Sequence, residues 1–160
     1  MNFLDPNDFG FLKTIKDNFD IILADYHNIS AKNCPWGDPT LYSGGWDVIG
    51  LKYEDNDIQE NKALVPRMCN IFDSLPVKIY TYGFSILRSG CIINPHRGEI
   101  TKILRSHFCL YTNPKASLTV NGESRNWTVG DFLVFDDCVE HSACNLGETD
   151  RVVVLFDFYR

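Results

Sequence analysis

From residue 79 onward no apolar run survives long before a turn signal breaks it. The segments 79–88 (IYTYGFSILR), 103–112 (ILRSHFCLYT), 116–120 (ASLTV), 123–128 (ESRNWT), 132–135 (FLVF), 139–144 (VEHSAC) and 151–158 (RVVVLFDF) are short and rich in β-branched and aromatic residues. Ser89-Gly90, Asn113-Pro114, Asn121-Gly122, Val129-Gly130-Asp131 and Gly147 separate them. Many short strands at regular spacing mean a sandwich or a barrel. Asn121-Gly122 is a two-residue hairpin signal, because both positions tolerate positive φ.

The first half reads differently. Residues 8–26 place Phe11, Leu12, Ile15, Phe19, Ile22 and Leu23 at three-to-four spacing, which predicts an amphipathic helix with Asp8 as its N-cap. Residues 31–45 are rich in Pro and Gly and read as a loop; Trp46–Tyr53 reads as a strand. A helix is expected from about Lys62 to Ser74, with Pro66 in its first turns, where a missing N–H does least harm. The expectation is one mainly β domain over 1–160, with helical and loop support plus a first strand in 1–76 and the barrel in 77–160.

With 160 residues, 44% hydrophobic and 22% charged, the chain can build one core. A formal net charge of −6 argues against a nucleic-acid or anionic-membrane partner, since phosphate binding wants a basic surface. The start, MNFLDPNDF, lacks the basic and apolar regions of a secretory signal. No apolar run approaches the ~18 residues of a membrane span. Six cysteines could form disulfides, but without a signal the expectation is free thiols in a cytoplasmic protein. Nothing in the sequence sets the oligomeric state.

The candidate chemistry lies in the β region. His27 falls near a helix C-terminus, where the dipole favours it, and reads as structural. His96, His107 and His141 are the raw material of a transition-metal site. His96 reads as a loop residue. By spacing alone, His96 and His141 are as readily two unrelated barrel histidines as a metal pair. A rival zinc reading uses Cys138, His141 and Cys144, but three-residue steps alternate faces of a strand, and a fourth ligand is lacking. Arg67 is the only arginine before residue 80; the other six, Arg105 and Arg151 among them, follow it. Arg105 and His107 are two apart on one strand and face the same side. An inward arginine is costly without an anion, so a bound carboxylate is expected there.

The residues FSILRSGCIINPHRGEITKILRSH (84–107) and DFLVFDDCVEHSACNLGETDRVVVLFD (131–157) resemble the aspartyl/asparaginyl β-hydroxylase family. The shared features are a Pro-His-x-Gly element, a following Leu-Arg-x-His, a Phe-Asp-Asp-x-x-x-His element and an arginine opening the final strand. The resemblance implies a double-stranded β-helix, a jelly-roll or cupin-like barrel with N-terminal supporting helices. It implies an Fe(II)- and 2-oxoglutarate-dependent dioxygenase that uses O2 to hydroxylate an unactivated C–H bond, such as the β-carbon of Asp, Asn or a related amino acid. His96 and His141 would bind iron. Arg151 and Ser85 would hold the far carboxylate of 2-oxoglutarate, and Arg105 and His107 the carboxylate nearer the metal. Asp137 would accept from metal-bound water. Gly98 stands where a His-x-Asp triad has its carboxylate, as it does in the family; Glu99 is the neighbouring candidate for a third ligand.

The alternative is a cupin-like small-molecule or metal-binding module without oxygenase activity, since Val129-Gly130-Asp131 followed by His141 also suits such barrels. A plain cupin would not need Arg105, His107 and Arg151. A purely structural barrel would leave an inward arginine unexplained. The substrate, a small molecule or peptide, is not legible. Trp36 and Trp46 could wall its site or be ordinary loop and core aromatics.

Overall fold

A computed structural model describes residues 2–160. In chain order the elements are β1 (Phe3–Leu4), α1 (Leu12–Asp17), α2 (Phe19–Ile29), β2 (Cys34–Pro35), β3 (Tyr42–Ser43), β4 (Trp46–Tyr53), β5 (Asn56–Asp57), α3 (Gln59–Lys62) and α4 (Pro66–Asp73). There follow β6 (Ile79–Leu87), β7 (Cys91–His96), β8 (Ile103–Tyr111), β9 (Ala116–Val120), β10 (Glu123–Asn126), β11 (Phe132–Phe135), β12 (His141–Asn145) and β13 (Arg151–Tyr159). One sheet runs β1-β11-β8-β13-β6-β4-β2, with β5 on β4; the other runs β10-β9-β12-β7-β3. All strand pairs are antiparallel. This is the double-stranded β-helix expected, with few helices.

The large sheet is buried on both faces, and each face has its own core. Outward, Tyr82, Phe84, Val154, Phe156 and Phe108 pack against Ile22, Met68 and Phe72 of the helices. Each such side chain contributes roughly 1.5–3 kcal/mol by leaving water. Inward, Leu87, Cys109 and Val153 meet Ile93, Leu118 and Ala143 of the small sheet. The helices are tied together by Asp25, which is buried. Its carboxylate accepts from the Met68 amide at 3.0 Å and from Arg67 at 2.6 Å. It thereby caps the start of α4, where the sequence offers no capping side chain of its own.

Three local expectations need correction. The first helix is two helices, broken at Asn18, whose side-chain amide donates to the Thr14 carbonyl at 2.8 Å and ends the first. Asp8 is not its N-cap; it lies in a 3₁₀ turn over Pro6–Asp8 that Asp5 caps. His96 is not in a loop but ends β7, a strand the periodicity reading passed over because of Pro95. The proline is accommodated beyond the end of β3, which pairs only with Ile92 and Ile93, and beside the irregularity where β12 shifts register. At Asn121-Gly122 both residues have positive φ, 46° and 80°, as the hairpin signal requires. All six cysteines are unpaired.

Candidate active site

The register of the small sheet sets His96 at the end of β7 directly opposite His141 at the start of β12. Their ring centroids are 4.2 Å apart. Each ring is oriented by its own strand: Nδ1 of His96 donates to the Asn94 carbonyl at 2.8 Å, and Nδ1 of His141 to the Val139 carbonyl at 2.8 Å. A carbonyl can only accept, so both protons sit on Nδ1 and both Nε2 atoms carry free lone pairs. Burial, with help from the neighbouring charge of Arg105, pulls the His141 pKa down to about 4 against the opposing Val139 bond. The ring is neutral at ordinary pH.

Asp137 stands beside this pair, with Oδ1 3.4 Å from His141 Nε2. With that nitrogen unprotonated, two lone-pair-bearing atoms face each other, and the Arg105 guanidinium is the cation that engages Asp137 Oδ1 beside them. The two imidazoles with free Nε2 atoms are donors that suit a first-row divalent metal, and among the described residues no third His, Cys, Asp or Glu is grouped with them to hold one. Asp137 also explains Gly98. A Cβ there would fall 1.8 Å from Asp137 Oδ2, so a His-x-Asp carboxylate at 98 would force the Asp137 side chain out of its place. The Gly98 amide donates to the Asp137 carbonyl at 2.8 Å.

Inward-facing positions of the large sheet complete the site. Ser85, His96, Arg105, His107, His141 and Arg151 line one inner cavity of about 30 Å³, which shares Trp46, Ser85, His96, Arg105 and Leu155 with a cleft of about 620 Å³. Arg151 is 1% exposed and has no acidic partner among the described residues. One terminal nitrogen donates to the Ser85 carbonyl at 3.1 Å, its Nε is unpartnered, and the guanidinium lies 4.6 Å from the Trp127 ring centroid. Burial pulls its pKa down, with the Cys109 and Cys91 thiols opposing. Since a guanidinium keeps its proton at physiological pH, the cost stays in the fold until an anion arrives. His107, 6% exposed, has no partner on either nitrogen. Burial first, then the charges of Arg151, Arg105 and His141, hold its pKa well below the ordinary histidine value. Ser85 accepts from Trp46 Nε1 at 3.1 Å.

Arg105 differs from Arg151. It grips Asp157 with two bonds of 2.7 and 2.9 Å and touches Asp137 with a third nitrogen. Burial works against its charge, but the two carboxylates outweigh it and hold the guanidinium above its usual pKa. Its donors are therefore engaged by the protein itself.

The residues singled out from the sequence thus come together around one cavity and the cleft beside it. Asp157 and Trp127 were missed. Asp157 was findable: it shares the inward face with Arg151 at two-residue steps along β13, and the register pairs it with Arg105. Trp127 falls inside the strand expected over 123–128, but β10 ends at Asn126 and the buried indole lies just beyond it, where strand alternation does not set its direction. Cys144 does not join His141, because the two alternate in burial along β12. Glu99 is exposed on the rim of the cleft.

Comparison with known proteins points one way. A family model described as aspartyl/asparaginyl beta-hydroxylase matches residues 12–160. The human protein named aspartate beta-hydroxylase domain-containing protein 2 is 28% identical over 162 residues, covering 92% of this chain and 44% of that one. The Rhizobium tropici ornithine lipid ester-linked acyl 2-hydroxylase is 36% identical over 80 residues, 48% of this chain and 28% of its own. The chain spans less than half the length of these curated relatives. Among solved structures, a Pseudomonas putida prolyl-4-hydroxylase aligns with a TM-score of 0.60 at 13% identity, covering 91% of this chain and 87% of its own. A Burkholderia pseudomallei oxidoreductase of the 2OG-Fe(II) oxygenase family aligns at 0.59 and 10% identity, covering 86% and 78%. At these identities the structures speak for the fold alone.

Proposed function

The chain belongs to the aspartyl/asparaginyl β-hydroxylase family, and on that premise we propose that it is an Fe(II)- and 2-oxoglutarate-dependent dioxygenase hydroxylating an unactivated C–H bond. The observation that carries this reading is Arg151: a buried cation without a counter-ion, opening on the cavity that holds the two free Nε2 atoms. A cupin-like module without oxygenase activity has no use for it.

His96 and His141 would hold the iron. Arg151 and Ser85 would take the far carboxylate of 2-oxoglutarate, each charge-assisted contact contributing roughly 1.5–3 kcal/mol. His107, neutral and with both nitrogens free, would donate to the carboxylate nearer the metal. Arg105 would act there too, chiefly by fixing Asp137 beside His141, where Asp137 would accept from metal-bound water. With these groups bound, one substrate C–H, O2 and 2-oxoglutarate become C–OH, succinate and CO2; the cofactor carries that chemistry and the protein supplies geometry and exclusion of water. The family name points to the β-carbon of Asp or Asn, in a small molecule or peptide.

Two neutral ligands leave a +2 ion uncompensated, and the dianionic cosubstrate supplies the balance. Mn(II) affinity is therefore expected to rise strongly when 2-oxoglutarate is present, read by titration calorimetry. Succinate release should require Fe(II) and vanish in His96→Ala and His141→Ala. Equal metal affinity with and without 2-oxoglutarate, or full turnover in His141→Ala, would overturn the reading.

A further inference from the structure

Resting on the hydroxylase reading but departing from the aspartate that the family name suggests, we propose that the cleft before the histidine pair takes a substrate group with a cationic head on an alkyl stem, such as a basic side chain or an alkylamine, and disfavours a carboxylate.

The inner wall of the cleft is apolar and shaped for a chain. Trp36 stacks on Trp46 with centroids 4.9 Å apart, and Val48, Ile58, Ile100 and Leu155 continue the lining. Between them Gly83, the cross-strand partner of Gly50, presents bare backbone, while the Ile58 side chain packs over Gly50, its Cδ1 2.7 Å from where a Cβ would fall. A Cβ at Gly83 would fall 2.3 Å from the Ile49 carbonyl oxygen, so the trough follows from how closely β4 and β6 approach. An alkyl stem fits such a trough, and indole faces favour a nearby cation.

The charges decide the head. Asp137, Asp157, Glu54, Glu60 and Glu99 line the cleft, against Arg105 and Lys52. Arg105 is engaged by Asp137 and Asp157, and Lys52 lies 3.7 Å from Asp57. Lys62, outside the lining, also pairs with Asp57, and Arg97, beside His96 but likewise outside it, faces Glu140 at 3.7 Å. No base is therefore free within the cleft to receive a substrate carboxylate. Glu54, Glu60 and Glu99 are exposed and form no ion pair among the described residues. A divalent metal and a dianionic cosubstrate would cancel each other, so loading the inner cavity leaves this balance negative. An acidic substrate would meet a net excess of like charge; a basic one finds three partners at the rim.

The test measures binding of four blocked amino acids, the N-acetyl amides of lysine, norleucine, glutamate and aspartate, by NMR titration. It is run with Mn(II) and 2-oxoglutarate without oxygen, and again with neither. Free lysine and a lysine-containing pentapeptide form two further arms that separate a free amine substrate from a side chain in a peptide. The lysine amide is expected to bind about tenfold more tightly than norleucine amide, three exposed charge contacts at about 0.2–1 kcal/mol each supplying the difference. That preference should shrink in 0.5 M salt and in Glu54→Gln/Glu60→Gln/Glu99→Gln. Equal binding of lysine and norleucine amides, tighter binding of the acidic amides, or no binding of any while 2-oxoglutarate binds normally, would each overturn the proposal. If 2-oxoglutarate itself fails to bind, the hydroxylase reading falls, and the titration without metal still decides the charge preference.

Discussion

The interior face of the large sheet carries an arginine at each end, one partly exposed and one buried, and the two live under opposite rules. Arg105, toward the open cleft, is gripped by two aspartates of its own chain. Arg151, toward the closed end, has a carbonyl, an indole face and no carboxylate. One cation is completed by the fold and the other is left for a visitor. The difference separates what holds the barrel together from what the barrel is for: a buried ion pair is structure, and a buried unpaired ion is a receptor.

Removing each arginine should break that comparison in opposite ways. Arg105→Met leaves Asp137 and Asp157 buried without their cation and is expected to cost about 3–5 kcal/mol, read by urea denaturation. Arg151→Met should leave the ligand-free protein within about 1 kcal/mol of the parent, or make it more stable, because it removes an uncompensated charge. The same variant should lose the stabilisation that 2-oxoglutarate with Mn(II) gives the parent, about 2.7 kcal/mol at a hundredfold excess over Kd. If Arg151→Met is the more damaging of the two without ligand, the contrast is wrong.

Acid should weaken the closed end next. The His141 pKa of about 4 lies below the unfolded value of 6.5, so between those limits the unfolded chain binds a proton that the native chain refuses. Stability is therefore complete above about pH 6.5 and falls as pH drops, by about 1–2 kcal/mol between pH 7 and pH 5. His107 shifts the same way and adds to the slope. A flat stability profile over that range would show that neither ring is held neutral. The smallest effect expected is that of Trp46→Phe, which removes the indole bond to Ser85 and should cost about 1 kcal/mol while weakening cosubstrate binding only modestly.

Much of this was legible in the sequence, for reasons that differ by residue. Turn chemistry announces itself locally, so Asn121-Gly122 and the strand Trp46–Tyr53 read directly. Arg105 and His107 were readable as a pair because a strand repeats every two residues. What escaped was set by particular side-chain bonds and by contacts between strands. The break at Asn18 depends on a side-chain bond to its own helix, and the strand ending at His96 depends on a proline lying past its neighbour's end. That Arg105 is met by the Asp157 carboxylate and Arg151 by none is a matter of cross-strand register, which no single strand records.

That register has a consequence for assembly. His96 and His141 form a site only because β7 and β12 pair in one alignment, and a slip of one residue would turn one ring to the other face. A metal held by both rings would therefore act as a clasp that closes only on correctly zipped strands. Loading would raise hydrogen-exchange protection along this pair first, and the ion would serve the folding chain as an inspector before it served the reaction as a reagent.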